Sequence, residues 1–335
     1  MKKYNIGIIG AGNIISARHS KVLAGRPDLN VKWVFDINQE NRDQITSLFQ
    51  RAVAIDNINH ELTKNTDAVI MTVPVGVRAG FWSRAFEESW AVFCEKPISL
   101  DYEDYTNICS RAKKAKSHLF TGFNRRYYHS TKVIQNLKQQ GYLDQLEGII
   151  LSDCQVWANV GLVKNTFLSN EKLAGGGVLM ETGSHSLDQV ANMLDLKAPS
   201  IDDVEMSKMV DFGETSISGS SSVEFAGRRI PLTFRYSVSY DAMNGVFLKL
   251  PNGYIFIEHA PAAIPEFRSR DLQYLYKMDV SSDGITDVDY ACMCQWEDFI
   301  SKLNLNQEPI DYIKEYDKAE FVVKFIDKAY KAAAN

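Results

Sequence analysis

Two short stretches of the chain carry side chains that could move a proton or stabilise a developing negative charge. In Cys94-Glu95-Lys96-Pro97, the ammonium of Lys96 could hydrogen-bond a hydroxyl or carbonyl group and stabilise an oxyanion. The stretch from Gly175 to Asp188 contains Glu181 and His185, four residues apart. On a helix this spacing places both side chains on one face, and an imidazole can exchange a proton at neutral pH. These residues are therefore our candidates for acid–base chemistry.

Each candidate also has an ordinary structural explanation. A lone lysine is more often a solvated surface charge, and the tripeptide Glu95-Lys96-Pro97 arises easily by chance. An isolated histidine at a helix start is more often a core residue paired with a capping acid. Glu181 and His185 could also ligate a metal, but no third ligand follows at a useful spacing. We therefore expect no metal site.

The stretch IGIIGAGNIISARHS, from Ile6 to Ser20, is typical of a turn that binds a dinucleotide. Gly10 permits a sharp turn from strand to helix, and Gly12 lets a pyrophosphate approach the helix N-terminus. Asp36 follows at the spacing of an acid that binds a ribose diol; its charge would repel a 2′-phosphate and favours NAD over NADP. Ile15 replaces the third glycine of the pattern, which predicts a slightly displaced helix. The alternative is an ordinary strand–turn–helix with a solvated aspartate. The candidate cofactor-binding residues are Gly10, Gly12, Asn13, Ile14, Asp36, Val73, Pro74, Glu95 and Lys96.

The elements that must position these motifs alternate between short apolar runs and stretches of helical length. We predict strands at 5–11, 31–36, 68–74, 91–95 and 119–123, a weaker strand at 52–55, and helices at 13–25, 39–51, 77–89 and 102–115. Alternating strands and helices predict a parallel, doubly wound α/β sheet of the Rossmann type. The candidate lysine and the glycine loop would lie at its carboxyl edge, where ligands of such sheets bind.

After residue 123 the pattern favours a second α/β domain with a large, mostly antiparallel sheet. We predict helices at 127–140, 175–194, 289–303 and 312–334, and strands at 147–156, 204–212, 217–225, 230–240, 246–250 and 254–259. Glycine-containing turns between the later strands indicate hairpins, and we expect 261–271 to be the least structured segment. The predicted domains are 1–122, which binds the cofactor, and 123–335, with the C-terminal helix as a candidate to pack back on the first domain.

Composition and charge exclude several classes of protein. The 335 residues are 45% hydrophobic and 24% charged, which is typical of a soluble protein of two domains. The net charge of −5 argues against binding to nucleic acid. No apolar run approaches the roughly 20 residues of a membrane span, and the N-terminus does not resemble a signal peptide. Five scattered cysteines predict free thiols and a cytoplasmic protein.

Taken together, the motifs resemble those of the Gfo/Idh/MocA family, the relatives of glucose-fructose oxidoreductase and inositol dehydrogenase. The resemblance covers essentially the whole chain. It implies that Lys96 matches the catalytic lysine of the family and that His185 matches the histidine often assigned as acid/base. Glu181 stands where the family usually has an aspartate that contacts substrate. The residues that carry the resemblance are Gly10-Ala11-Gly12-Asn13-Ile14, His19, Asp36, Glu95-Lys96-Pro97, Gly122-Phe123-Asn124-Arg125-Arg126 and the block 175–188.

The resemblance implies reversible hydride transfer between NAD(P) and a secondary alcohol of a sugar, inositol or sugar nucleotide. His185 would take the hydroxyl proton and Lys96 would stabilise the alkoxide-like charge. The resemblance also implies a homodimer or homotetramer formed through the open face of the C-terminal sheet. Two alternatives stay open: a glycosidase that oxidises its sugar transiently with tightly held NAD, and an NAD-binding regulator with weakened catalysis. Further candidate substrate contacts are Arg125, Arg126, Tyr127 and Trp157.

Overall fold

The computed structural model describes residues 2–156, 166–209, 213–261, 263–271, 275–277, 288–304 and 309–334. The chain divides into two compact units. The first unit consists of Met1–Ile98, Glu103–Gly122 and Cys292–Tyr316, and the second consists of Ser99–Tyr102, Phe123–Ala291 and Asp317–Asn335. Among the helices in the described residues, none is both long enough and apolar enough to cross a membrane.

The described strands of the first unit form a six-stranded, entirely parallel sheet. They are β1 (Tyr4–Ile9), β2 (Leu29–Phe35), β3 (Val53–Ile55), β4 (Ala68–Met71), β5 (Ala91–Cys94) and β6 (Leu119–Thr121), in the order β3-β2-β1-β4-β5-β6. Every residue of β4 and β5 is buried, as expected of central strands covered on both faces. The strand order changes direction at β1 and β4, which creates the crevice in which doubly wound sheets bind ligands. This confirms the predicted Rossmann sheet, including the weak strand β3.

The predicted helix at 13–25 is irregular. Residues Ile15–His19 form a π-helical turn, and the regular helix α1 (Ser20–Gly25) follows. The Ile15 side chain is completely buried. A wider turn therefore lies directly after the glycine loop. The other helices that begin before residue 123 are α2 (Gln39–Ser47), α3 (His60–Thr63), α4 (Ala79–Glu87) and α5 (Tyr102–Ala115).

The described strands of the second unit form an eight-stranded sheet. They are β7 (Gly148–Cys154), β8 (Lys197–Met209), β9 (Gly213–Phe225), β10 (Arg228–Ser237), β11 (Gly245–Leu250), β12 (Gly253–Glu258), β13 (Glu266–Ser269) and β14 (Leu275–Lys277), in the order β14-β13-β12-β11-β7-β10-β9-β8. The pair of β7 and β10 is parallel, and the other pairs are antiparallel. The mostly antiparallel sheet is thus confirmed.

Five further helices follow residue 123 in the described chain. They are α6 (His129–Gln139), α7 (Glu171–Ala174), α8 (Ser184–Leu194), α9 (Val288–Asn304) and α10 (Pro309–Ala333). A second π-helical turn, Leu179–Gly183, leads directly into α8. The glycine run 175–177 directly precedes this helical segment, as predicted, and it also follows α7, whose end is marked by Gly175 in the left-handed conformation. Glycine is favoured there because it lacks a Cβ.

Two expectations about the second sheet are wrong. The strand predicted at 204–212 begins much earlier, at Lys197, and includes Pro199. Because β8 is the last strand of the sheet, a proline without a backbone N–H is tolerated in it. The segment predicted to be least structured, 261–271, contains β13, which pairs with β12. All four β13 residues are partly exposed, so no alternation of buried and exposed positions reveals this strand.

Candidate active-site residues

The glycine loop between β1 and the first π-turn leaves its backbone accessible. Gly10 has a φ of +97°, and a Cβ there would lie 2.8 Å from Thr72 Oγ1 and 2.9 Å from the Val73 nitrogen. The protein itself therefore requires glycine at this position. At Gly12 no atom of the described residues lies within 4 Å of the place that a Cβ would take. That space suits a group that approaches the backbone from outside the chain, as a pyrophosphate does.

Asp36, directly after β2, binds the same loop. Its Oδ2 accepts a hydrogen bond from the Ala11 nitrogen (2.6 Å), and its Oδ1 accepts one from the Asn38 nitrogen (2.8 Å). An ionised carboxylate has about four acceptor positions, so two remain for hydroxyl donors such as a ribose diol. Asn13 and Ile14 are exposed at the start of the helical stretch. The residues present thus fit the adenosine half of a dinucleotide.

Glu95 and Lys96 follow β5 directly, at the carboxyl edge of the sheet. Glu95 Oε2 accepts a hydrogen bond from the Lys96 nitrogen at 3.2 Å, and the Lys96–Pro97 peptide bond is cis. A Cβ on Gly122 would lie 2.9 Å from Glu95 Oε1, which explains why this motif carries a glycine. The Glu95 side chain is therefore fixed by its surroundings within the first unit.

His19, which is among the residues that carry the family resemblance, is buried beside Glu95. Its Nε2 lies 2.9 Å from Glu95 Oε1, and Trp296 Nε1 donates to its Nδ1 at 3.0 Å. Burial lowers the pKa of His19, and hydrogen bonds with Cys292 and Glu95 would by themselves outweigh burial and raise it to about 9. The Trp296 indole opposes protonation of the ring. Its N–H can only donate a hydrogen bond, and His19 Nδ1 can accept that bond only when Nδ1 carries no proton. The geometry therefore favours the neutral ring, with Nε2–H donating to Glu95.

Arg78 joins the loops after β4 and β5. The guanidinium is buried and donates to the carbonyl oxygens of Val73 (2.9 Å), Glu95 (2.8 Å) and Pro97. Burial raises the pKa of the neighbouring Cys94 thiol to about 11, so this thiol stays protonated at neutral pH. Arg78 thus holds the backbone carbonyl groups of Val73 and Glu95 in place.

In the second unit, Glu181 and His185 lie in the segment formed by the π-turn and α8. Glu181, Thr182 and His185 are partly exposed, whereas Leu179–Met180 and Ser186–Val190 are buried. The two candidate residues are thus on accessible positions of an otherwise buried segment. The His185 ring packs edge-on against Phe123, with a centroid distance of 6.5 Å.

The candidate substrate contacts have different surroundings. Arg126 is buried and forms a bidentate pair with Asp188, with hydrogen bonds of 2.7–3.1 Å. Arg125 is partly exposed and approaches Asp153 at 3.4 Å. Tyr127 is partly exposed, and Trp157 lies outside the described residues.

The structure adds His259 and Asp153 to this neighbourhood, and the sequence had singled out neither. His259 Nε2 lies 4.0 Å from Asp153 Oδ2. Burial and the positive charge of Arg125 lower the pKa of His259 well below its usual value, whereas burial raises the pKa of Asp153. A neutral histidine beside a buried carboxylate is therefore expected here. Within the described part of the chain, no cluster of three or more His, Cys, Asp or Glu side chains could hold a metal ion.

Comparison with known proteins gives matches to oxidoreductases. Residues 4–123 match the family model described as an oxidoreductase family with an NAD-binding Rossmann fold, GFO_IDH_MocA. Inositol 2-dehydrogenase of Rhizobium meliloti is 29% identical over 147 residues, which are 44% of each chain. Glucose-6-phosphate 3-dehydrogenase of Bacillus subtilis is 27% identical over 194 residues, 57% of this chain and 53% of the relative. The matched part therefore spans about half the length of these relatives.

The fold is shared over nearly the full length with solved structures. The crystal structure of aldose-aldose oxidoreductase from Caulobacter crescentus, complexed with glycerol, superposes with a TM-score of 0.82 at 17% identity and covers 99% of this chain and 98% of its own. At this identity the likeness shows the fold alone. The sequence match covers residues 4–123, which include the glycine loop and Asp36 of the first unit. Residues 4–123 of this chain are thus similar to the NAD-binding Rossmann fold of the Gfo/Idh/MocA oxidoreductase family.

Proposed function

We propose that this chain is an NAD-dependent oxidoreductase that transfers a hydride between nicotinamide and a secondary alcohol or ketone of a sugar, inositol or sugar nucleotide. The observation that carries the proposal is the open space at Gly12 beside the carboxylate of Asp36. The names of the two matched dehydrogenases support a polyol or sugar as the substrate class. NAD is preferred over NADP because the Asp36 charge repels a 2′-phosphate.

The first unit binds the cofactor in this proposal. When bound, nicotinamide dinucleotide supplies the centre that exchanges the hydride. The backbone at Gly12 binds the pyrophosphate, and Asp36 accepts hydrogen bonds from the adenosine ribose. Glu95 fixes the start of the Lys96 backbone through its hydrogen bond to the Lys96 nitrogen. The remaining proposed cofactor contacts are Gly10, Asn13, Ile14, Val73 and Pro74.

Two side chains perform the proton chemistry and charge stabilisation, and a third binds the substrate. His185 takes the hydroxyl proton in the oxidising direction and returns it in the reducing direction. The Lys96 ammonium stabilises the alkoxide-like oxygen as charge develops on it. Glu181 hydrogen-bonds a substrate hydroxyl, and its extra methylene relative to aspartate selects a different substrate geometry. Arg125 and Tyr127 are partly exposed and contact substrate, whereas Arg126 holds Asp188.

We also propose a cytoplasmic homo-oligomer assembled through the open face of the second sheet. The five cysteines are free thiols, which suits a reducing compartment. Ile150 of β7 is 45% exposed, and its sheet partner Phe247 lies beside Phe256 with ring centroids 4.8 Å apart. An apolar patch of this kind in a sheet face is a candidate protein–protein contact.

The first test is NADH formation by the purified protein with NAD⁺ or NADP⁺ and a panel of aldoses, inositols and sugar nucleotides. We expect turnover with one substrate class and a loss of kcat of about a hundredfold or more in Lys96→Ala and in His185→Ala. Lys113→Ala, an exposed lysine of the first unit, is the matched control. Activity within a few-fold of wild type in both variants would contradict the assigned roles.

The alternatives have distinct outcomes in the same assay. Release of a leaving group without net NADH favours the glycosidase, and NAD binding without any turnover favours the regulator. Absence of dinucleotide binding would contradict the cofactor site itself.

The preference for NAD is tested with Asp36→Asn. We expect the affinity for NAD to fall by about ten- to a hundredfold, because charge-assisted hydrogen bonds to the ribose are lost, while the affinity for NADP falls less or rises. Calorimetric titration measures both constants. Asp56→Asn, at an exposed position of the same unit, is the control. An unchanged ratio of the two affinities would show that Asp36 does not select the cofactor.

A further inference from the structure

The glycine run before the π-turn of the second unit is required by two other parts of the chain. A Cβ on Gly176 would lie 2.2 Å from the Tyr330 hydroxyl, and a Cβ on Gly177 would lie 2.1 Å from the backbone oxygen of Glu214. Contacts this short are not found for real side chains, and the Glu214 oxygen belongs to β9 and cannot move freely. The run is therefore glycine because β9 and α10 come close to it.

Glu214 binds this turn through its carboxylate. Its Oε2 accepts a hydrogen bond from the Gly177 nitrogen at 2.7 Å, and its Oε1 accepts hydrogen bonds from the Leu179 nitrogen at 2.8 Å and the Tyr330 hydroxyl at 2.7 Å. Burial raises the pKa of Glu214, and these three donors act in the opposite direction. Burial and the adjacent carboxylate raise the pKa of Tyr330 well above its usual value, so its hydroxyl keeps the proton that it donates.

The two backbone nitrogens bound by Glu214 lie where the helical segment begins. Early N–H groups of a helix have no partner inside it, and a carboxylate at this end also interacts favourably with the helix dipole. The same segment continues through the π-turn Leu179–Gly183 into α8 and carries Glu181 and His185. The position of its first residues along and around the helix axis therefore determines where both side chains point.

We propose that Glu214, held in place by Tyr330, is a positioning residue for Glu181 and His185. The proposal rests on the proposed function, because it assigns these two residues to substrate. Without the carboxylate, the Gly177 and Leu179 nitrogens lose their acceptor and the segment is free to shift. A misplacement near 1 Å is enough to reduce a rate by about a hundredfold.

The test uses Tyr330→Phe, which removes one hydroxyl, and Glu214→Gln, which replaces one acceptor oxygen by a donor amide. We expect kcat to fall by about tenfold in Tyr330→Phe and further in Glu214→Gln, with the KM for NAD unchanged. Hydrogen exchange of the Gly177 and Leu179 amides, measured by mass spectrometry, is expected to accelerate in both. If Glu214→Gln does not fold, the kcat and the amide exchange of Tyr330→Phe still test the positioning role.

Tyr102→Phe is the matched control. Like Tyr330, Tyr102 donates a hydrogen bond from its hydroxyl to a glutamate at 2.7 Å. That glutamate is Glu320, which belongs to α10, the helix that carries Tyr330. The variant thus removes a tyrosine–glutamate hydrogen bond of the same kind without touching the glycine run. Its kcat and amide exchange at Gly177 are expected to equal those of wild type.

The outcomes separate this inference from the proposed function. Unchanged amide exchange in both variants overturns the hydrogen-bonding role of Glu214. Faster exchange with unchanged kcat shows that Glu214 is structural only, and overturns the positioning role. A wild-type protein that turns over no substrate of the panel contradicts the proposed function, and the positioning role fails with it; the exchange data then report only whether Glu214 holds the turn.

Discussion

His19 and Glu95 show how buried partners can determine the state of a single residue. Glu95 attracts a proton to Nε2 of the His19 ring, and Trp296 prevents a second proton on Nδ1 by donating to it. The resulting neutral ring donates one hydrogen bond to the carboxylate that precedes Lys96. His19 therefore orients Glu95 without placing a positive charge next to the candidate catalytic lysine.

We predict that Trp296→Phe raises the pKa of His19. Without the indole N–H, Nδ1 is free to take a proton, and Glu95 then stabilises the charged ring. The variant ring should therefore keep its proton to a higher pH than the wild-type ring does. Histidine NMR across a pH titration measures this. Trp82→Phe, a buried indole that stacks on Phe86, should leave the titration unchanged; an identical titration in wild type and Trp296→Phe would be evidence against the tautomer assigned here.

At the level of elements, both positions that depart from the family pattern lie in π-helical turns. Ile15 begins the turn Ile15–His19, and Glu181 lies within the turn Leu179–Gly183. Single π-turns inside α-helices occur frequently at functional sites. The Ile15 side chain points into the core of the first unit, while the open space at Gly12 is retained. The isoleucine therefore changes the helix start and leaves the glycine loop intact.

We predict that Ile15→Ala lowers the free energy of unfolding by about 2–5 kcal/mol, because it removes a fully buried side chain and leaves a cavity. Ile15→Val should lower it by about 0.5–1.5 kcal/mol. Denaturant unfolding measures both changes. Ile14→Ala is the control, since this neighbouring side chain is 39% exposed and should change stability little. A loss below about 1 kcal/mol in Ile15→Ala would mean that the core does not depend on this residue.

At the scale of the whole molecule, one face of the second sheet carries an exposed apolar patch. Ile150 and Phe247 are direct neighbours on adjacent strands of this face, and Arg268 lies over the Phe256 ring at 5.5 Å. Apolar side chains with an arginine at their edge resemble the composition of protein interfaces. This composition, together with the resemblance to the family, supports the proposed oligomer.

We predict that Ile150→Glu converts the oligomer into monomers, because a buried, unpaired carboxylate in an interface is costly. Sedimentation velocity at several protein concentrations measures the change. Ile37→Glu makes the same substitution at a residue that is 93% exposed in the first unit and should leave assembly unchanged. A wild-type protein that sediments as a monomer, or an Ile150→Glu variant that stays associated, would rule out this face as the contact.

The features that the sequence alone predicted correctly depend on residues that lie close together along the chain. Alternating apolar and amphipathic segments specify the parallel sheet, and the predicted glycine loop lies after its first strand with Asp36 hydrogen-bonded to it. The weak strand β3 and the antiparallel character of the second sheet also followed from local patterns. Strand β13 and the start of β8 could not be predicted from local patterns. The residues of β13 are all partly exposed and show no alternation, and the proline near the start of β8 argues against a strand.

The partners of the candidate residues were decided by the tertiary structure. Trp296 reaches His19 from 277 positions away in sequence, and Tyr330 reaches Glu214 from 116 positions away. Arg78 joins the loop after β4 to the loop after β5 through hydrogen bonds to Val73 and Glu95. A local pattern is set by neighbours a few residues apart, whereas these contacts depend on how distant helices and strands pack. The sequence by itself therefore determined the family resemblance, the sheet types and the candidate chemistry, and the tertiary structure decided which residues contact those candidates.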